Sequence, residues 1–220
     1  VDADFAGIWE IVADTVPDRD AIVQGDRRLT YREYDEQAAR FAAALAAAGV
    51  EEGAGVGLYL YNSPEYLISQ HGGFKHGAVP VNVNYRYLDE ELAYLLIDSE
   101  AQALVFHASL GDRVERIRDQ VPALRLLVEV DDGGPHVEGA VGFAALLAAH
   151  EPAERKTSTG RERYMLYTGG TTGMPKGVMY RHGDFSGRLY DAYAMLGVAP
   201  PPQQATEIPS FVEAMVAAAP

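Results

Sequence analysis

The chain has no cysteine, only three lysines and a single tryptophan among its 220 residues. Without thiols, disulfides and thiolate metal sites are excluded. No apolar run approaches the ~18 residues of a membrane-crossing helix. The first residues, Val1-Asp-Ala-Asp4, are acidic and carry no basic stretch before an apolar core. That pattern is not a secretory signal, and a cytoplasmic protein is the expectation. Positive charge is scarce: 18 basic residues face 32 acidic ones, a formal net charge of −14. Such a surface repels nucleic acid and anionic lipid over roughly 8 Å at physiological salt, so nucleic acid is not an expected partner. Several catalytic strings are missing as well. There is no Gly-x-Ser-x-Gly elbow, no Walker loop and no Gly-x-Gly-x-x-Gly fingerprint. Gly53-Ala-Gly-Val-Gly57 comes nearest to the last and fails on spacing. His71 and His76 lie five apart on one predicted helix, which is not a same-face ligand pair. His107, His136 and His150 are scattered, so no protein-built metal site is expected.

What is present is an alternation of short apolar runs with helical patterns. Residues 21–24 and 27–30 flank Gly25-Asp26 and read as a small hairpin. Thr30-Tyr-Arg-Glu33 has capping-box spacing. Tyr34, Ala38, Phe41, Leu45 and Ala48 then form one apolar stripe that Gly49 ends. Residues 56–61 read as a buried strand. Ser63 caps and Pro64 opens a helix ending at Gly77. Strands follow at 79–83, 103–106 and 124–130, with helices at 90–98 and 112–120 between them. Tyr85, Arg86 and Tyr87 precede a helix, where they either line a groove or, the preferred reading, pack. The acidic pairs Glu51-Glu52 and Asp131-Asp132 sit in turns and are expected to be solvated. Residues 143–150 form a short helix, and 151–163 read as an exposed loop. A helix is expected at 184–196, and Ser210 would cap a last one. Strands alternating with helices of this length predict an α/β fold: a largely parallel sheet covered by helices.

The densest signal is Tyr164-Met-Leu-Tyr-Thr168-Gly-Gly-Thr-Thr-Gly-Met-Pro-Lys176-Gly-Val-Met. Two apolar runs bracket a loop of glycines and threonines. Gly169, Gly170 and Gly173 let backbone N–H groups approach a ligand closely. Thr168, Thr171 and Thr172 add hydroxyl donors. Lys176 adds a compact positive charge. That set suits a di- or triphosphate. A flexible surface linker has no reason to lie between two apolar runs.

The string resembles the phosphate-binding signature of the acyl-adenylate-forming synthetases, roughly Tyr-Thr-Ser-Gly-Thr-Thr-Gly-x-Pro-Lys-Gly. Gly169 stands where serine is common. The Gly-Gly version looks like the fatty-acyl and related CoA-ligase branch. The exit Gly177-Val-Met-Tyr-Arg-His182 and the run Phe74-Lys-His-Gly-Ala-Val-Pro-Val-Asn-Val-Asn84 resemble the same enzymes. The likeness runs from about Phe5 to Leu196. It implies that residues 1–198 are the N-terminal part of an AMP-binding domain, with a Pro/Ala-rich end segment at 199–220. It lacks the family's Tyr-Gly-x-Thr-Glu segment, ribose aspartate and C-terminal lysine.

The resemblance implies an ATP-dependent carboxylic acid–CoA ligase. ATP arrives with Mg²⁺, coenzyme A is co-substrate, and a small-molecule acid is activated as acyl-AMP. Lys176 is then the catalytic candidate. Thr168, Gly169, Gly170, Thr171, Thr172, Gly173 and Lys176 are the phosphate-binding candidates. A histidine is common at the exit turn, and His182 is expected to bond backbone at a helix start. Two other readings stand beside this one. One is an unrelated NTP- or phosphate-binding module. The other is a non-catalytic scaffold that folds without ligase activity of its own, with self-association through a truncated apolar face.

Overall fold

The computed structural model describes residues 4–168, 174–195, 197 and 200–218. The chain opens with α1 (Phe5–Thr15), which sequence reading had left without an element. Its cause is local: Asp4 accepts a hydrogen bond from the Gly7 N–H at 2.7 Å, satisfying an orphan donor of the first turn. Ile8, Trp9 and Val12 follow at helical spacing. A two-stranded antiparallel hairpin comes next, β1 (Asp20–Gln24) and β2 (Arg27–Thr30). It leads into α2 (Tyr31–Ala47), whose capping box forms as expected. Thr30 Oγ1 accepts from the Glu33 N–H at 3.2 Å and the Glu33 carboxylate accepts from the Thr30 N–H at 2.8 Å. The stripe Tyr34, Ala38, Phe41 and Leu45 is buried.

The remaining elements in order are β3 (Gly55–Tyr59), α3 (Pro64–His76), β4 (Val79–Asn82), α4 (Asp89–Asp98), β5 (Ala101–His107), α5 (Gly111–Ile117), β6 (Leu126–Val130), β7 (Val141–Gly142), α6 (Phe143–Ala148), β8 (Arg163–Thr168), β9 (Lys176–Arg181), α7 (His182–Ala194) and α8 (Ile208–Ala218). Pro64 opens α3, but Ser63 makes no side-chain cap bond. Gly77, at φ 90°, ends α3 in a left-handed conformation that costs glycine least. Two further boundaries differ from expectation. Ser210 lies inside α8, because a 3₁₀ turn at Ala205–Glu207 already starts the winding. The helix expected over 112–120 breaks at Ile117 into a 3₁₀ turn.

Seven strands form one sheet in the order β7-β6-β5-β3-β4-β8-β9, and all neighbours are parallel except β8 and β9. Period-two alternation divides the core between the two faces. Val56 and Leu58 of β3 and Ala103 and Val105 of β5 join Phe41, Leu45, Ile68 and Phe143 beneath α2, α3 and α6. Tyr59, Leu104 and Phe106 join Leu92, Leu95, Val114 and Ile117 beneath α4 and α5. Each of the Val, Leu, Ile and Phe side chains removed from water contributes ~1.5–3 kcal/mol, so both helical layers are fixed by burial more than by propensity.

The acidic pairs are exposed to solvent, as expected, and also have surface partners. Glu51 meets Arg125 at 2.6 Å and Glu52 meets Lys156 at 2.6 Å. Asp132 accepts from the backbone N–H and the hydroxyl of Ser109. Residues 151–162 are irregular, but they are tied down, and Arg163 already belongs to β8. The Ala153 N–H bonds to the Ala39 carbonyl at 3.1 Å, and Arg155 grips Asp14 with two nitrogens at 2.7 and 2.8 Å.

One cluster had no counterpart in the sequence reading. Lys75, on α3, is buried and bonds Glu10 of α1 at 2.5 Å and Asp35 of α2 at 2.9 Å. His71 meets Asp35 at 3.2 Å, and Arg155 reaches Asp35 at 3.4 Å. Burial pushes the Glu10 carboxyl up, against the pull of Lys75. Burial would also raise Asp35, but hydrogen bonds from His71 and Lys75 outweigh it and hold that carboxyl well below the usual range.

Candidate functional site

β8 runs parallel to β4, with Val81 opposite Met165. Its carboxyl end at Thr168 therefore lies on the same edge of the sheet as those of β3, β4 and β5. Open α/β sheets bind ligands at that edge. β9 returns antiparallel, with Tyr167 opposite Gly177 and Thr168 opposite Lys176. The glycine/threonine segment is thus the connection of a hairpin, and its two end residues, Thr168 and Lys176, are cross-strand partners. Residues 169–173 lie outside the described residues, and with them Gly169, Gly170, Thr171, Thr172 and Gly173.

Local chemistry keeps this hairpin in register. A Cβ on Gly177 would come within 3.1 Å of both the Met165 sulfur and the Tyr167 ring, so the position favours glycine. The Tyr167 hydroxyl donates to Asp98 of α4 at 2.7 Å. Burial and the Asp98 carboxylate together push that phenol well up, so it stays a neutral donor. β9 passes directly into α7, and His182 is its first residue.

His182 bonds backbone, as expected, yet its partner is remote in sequence: its Nδ1 accepts from the Phe5 N–H at 3.3 Å. The imidazole stacks on Phe5 at 4.2 Å and meets Phe74 edge-on at 4.9 Å. Burial pushes its pKa down to about 4, so the ring is neutral at pH 7 and free to accept.

The three lysines divide cleanly. Lys75 is consumed by Glu10 and Asp35, and Lys156 by Glu52 and the His76 carbonyl at 2.7 Å. Lys176 is exposed and has no ion pair among the described residues. A lysine left unpaired beside a hydroxyl at the mouth of a glycine-rich loop is available to a ligand anion.

Farther along the same edge, Tyr85, one of the trio expected to pack, stands in an aromatic group with Tyr61 and His107. Tyr61 and Tyr85 approach to 4.9 Å between ring centroids, and Tyr61 lies 5.1 Å from His107. His107 Nδ1 accepts from the Tyr61 N–H at 3.1 Å, and burial lowers its pKa. Arg86 sits 5.6 Å over the Tyr85 ring. Of the trio 85–87, Tyr87 packs against the core while Tyr85 is exposed. Arg113 pins this turn by donating to the Tyr59 hydroxyl at 2.7 Å and the Tyr85 carbonyl at 2.8 Å. Among the described residues no group of three or more His, Asp or Glu converges on a metal position.

A mostly parallel sheet flanked by helices, with Thr168 and an unpaired Lys176 at its carboxyl edge, defines an α/β protein of the open-sheet kind. The chain belongs to the family of AMP-binding enzymes, whose model matches residues 9–212. It is 44% identical over 195 residues to the medium-chain acyl-CoA ligase Mig of Mycobacterium avium, a match covering 80% of this chain and 35% of that protein. It is 41% identical over 188 residues to a medium/long-chain-fatty-acid–CoA/3-oxocholest-4-en-26-oate–CoA ligase of Mycobacterium marinum, covering 82% of this chain and 34% of that one. The fold superposes on the crystal structure of the anthranilate CoA ligase AuaEII in complex with anthranoyl-AMP. That match has a TM-score of 0.78 and 30% identity, over 84% of this chain and 36% of the other. The chain spans about a third of the length of the curated relatives it matches. No described helix is long and apolar enough to cross a membrane.

Proposed function

We propose that this chain carries the phosphate-binding part of an ATP-dependent carboxylic acid–CoA ligase. Residues 1–198 form the N-terminal part of the adenylation domain, and 199–220 lead on from it. The observation that carries the proposal is the hairpin: β8 and β9 set Thr168 and Lys176 opposite each other at the carboxyl edge of a parallel sheet. Thr168, Gly169, Gly170, Thr171, Thr172 and Gly173 surround the β- and γ-phosphates, the part that leaves as pyrophosphate. Lys176 offsets the negative charge that builds there as an acid carboxylate attacks the α-phosphate. Acyl-AMP and pyrophosphate form, and the thiol of coenzyme A then displaces AMP. Magnesium enters with the nucleotide and is held by phosphate oxygens and water, as suits a hard cation. The protein's part in the first step is positioning and charge stabilisation.

The names of the relatives favour a medium- or long-chain aliphatic acid, or a steroid-derived one. The cytoplasm is the compartment that fits such a reaction. The short coverage of those relatives favours a second statement: the 220 residues alone bind MgATP weakly and complete no ligation. Lys176→Ala tests the reading at two levels. In a protein of the relatives' length it slows pyrophosphate exchange at saturating acid about a hundredfold, the loss of ~3 kcal/mol of charge stabilisation. In the 220-residue chain it abolishes the weak binding of MgATP seen by calorimetry. An unchanged exchange rate removes Lys176 from the mechanism. Acyl-CoA formation by the 220 residues alone overturns the second statement.

A further inference from the structure

α1 and α8 pack against each other and leave an apolar groove beside their contact. Ile8, Trp9 and Val12 from α1 and Val212, Met215 and Val216 from α8 line a groove of about 660 Å³. Small-molecule sites span ~300–1,000 Å³, so the volume is that of a ligand site. The groove is open to solvent, and contiguous apolar surface left exposed marks a binding or interaction site. Trp9 is 38% exposed on the groove, unusual for the chain's only tryptophan.

One end of the groove is polar, and its charge is not balanced. Arg19 and Asp20 line it there beside Tyr31. Asp20 is already paired with Arg28 at 2.5 Å. The Arg19 guanidinium has no ion pair or side-chain hydrogen bond among the described residues, and its charge acts on the Tyr31 phenol. The Tyr31 hydroxyl has no hydrogen-bond partner among the described residues either, while its ring stacks on Trp9 at 5.8 Å. Two unused donors, one of them cationic, thus stand at the head of an apolar trough.

We propose that this groove binds the free anion of an aliphatic carboxylic acid, with the carboxylate on Arg19 and Tyr31 and the tail between α1 and α8. It is a second site, apart from the phosphate loop. Tyr164, near the start of β8, lines the groove, while Thr168 ends the same strand on the loop side. Four strand steps separate the two, on the order of 13 Å. An acid held here is too far away to be the one that attacks a nucleotide held at the loop. The proposal does not depend on the ligase reading.

Trp9 makes the test direct, because the 220-residue chain has one indole and it stands in the groove. Dodecanoate is titrated below its micelle concentration while Trp9 emission is followed, with dodecanol as the uncharged control. The expected result is a saturable blue shift with dodecanoate, at least tenfold weaker with dodecanol. Arg19→Ala, on an exposed side chain, weakens dodecanoate about tenfold, the loss of one charge-assisted contact, and leaves dodecanol unchanged. Tyr31→Phe weakens it less. Lys176→Ala leaves the titration as it is, whatever it does to MgATP. The absence of a saturable shift overturns the proposal. So does equal affinity for acid and alcohol, an Arg19→Ala curve that overlays the parent, or loss of the shift in Lys176→Ala, which would assign the acid to the loop instead.

Discussion

Lys75→Met is the sharpest available test of how the three N-terminal helices are joined. Methionine nearly matches lysine in length, so the substitution removes charge with little loss of volume. Lys75 holds Glu10 at 2.5 Å and Asp35 at 2.9 Å, and its side chain is 6% exposed. Removing one member of a buried ion pair costs ~3–5 kcal/mol, because the partner charge stays in the interior uncompensated. Here the two partners fare differently. Asp35 keeps His71 at 3.2 Å and Arg155 at 3.4 Å, whereas Glu10 is left with Arg155 at 3.8 Å. The expected loss is therefore at the low end, about 3 kcal/mol at pH 7. At about 2–4 °C per kcal/mol for a chain of this size, the melting temperature falls by roughly 6–12 °C.

The pH dependence carries the mechanism. Burial already raises the Glu10 carboxyl, and loss of Lys75 raises it further. An acid whose folded pKa is raised takes up its proton in the folded state first. The penalty is then full at pH 7 and shrinks as pH falls toward the raised value. Urea unfolding of the 220-residue chain, followed through Trp9, measures this at pH 7 and pH 5. Glu10→Gln placed on top of Lys75→Met should recover at least 1 kcal/mol of the loss, since it removes the orphaned charge. A loss under about 1 kcal/mol, the same loss at both pH values, or no recovery in the double variant would show that the cluster is not a coupled buried network.

Two other substitutions probe packing and protonation. Gly72→Ala should destabilise by about 1–3 kcal/mol or more, because its Cβ would lie 2.6 Å from the Ala38 carbonyl oxygen and under 3 Å from Phe41. Gly187→Ala on α7 meets nothing within 4 Å and should be neutral to stabilising by roughly 1 kcal/mol in the same urea assay. For His182, whose folded pKa of about 4 lies below the ordinary 6.5, stability is lost as pH falls between those values. His182→Gln should flatten that part of the stability–pH curve by up to about 3 kcal/mol, and an unchanged slope would deny the ring its buried neutral state. His71, His76 and His107 are shifted in the same direction and leave a residual slope.

Local rules made much of this fold legible. The Thr30/Glu33 capping box, Pro64 at a helix start and Gly77 at its end each act within a few residues, and each was readable. The alternation of strands and helices carried the α/β layering for the same reason. What escaped depends on residues far apart. Glu10 and Lys75 are distant in the chain, and read singly each resembles an ordinary surface charge. Only the meeting of α1, α2 and α3 makes them buried partners. His182 was legible as a residue that bonds backbone, but not as the acceptor for Phe5. α1 was missed although Asp4, Ile8, Trp9 and Val12 carry a cap and a periodic apolar face. Its small residues Ala6 and Gly7 dilute that face. The candidate loop was legible as a string. The structure adds its frame: Thr168 and Lys176 as facing residues of a hairpin at the ligand edge of the sheet.

That frame bears on how the site tolerates change over evolutionary time. The position of Lys176 is set by strand register and not by the loop that precedes it. Insertions between Thr168 and Lys176 lengthen a connection and leave the ladder Tyr167–Gly177 and Met165–Met179 in place. A single residue lost from within β9 is different in kind. Strand side chains alternate, so a one-step slip carries every following side chain to the opposite face. Loss of Lys176 or Gly177 would also press Val178 into the place of Gly177 against Tyr167. Strand register thus leaves the length of the loop open, its residues being constrained by the phosphates proposed for them, whereas the six residues after it must keep their count.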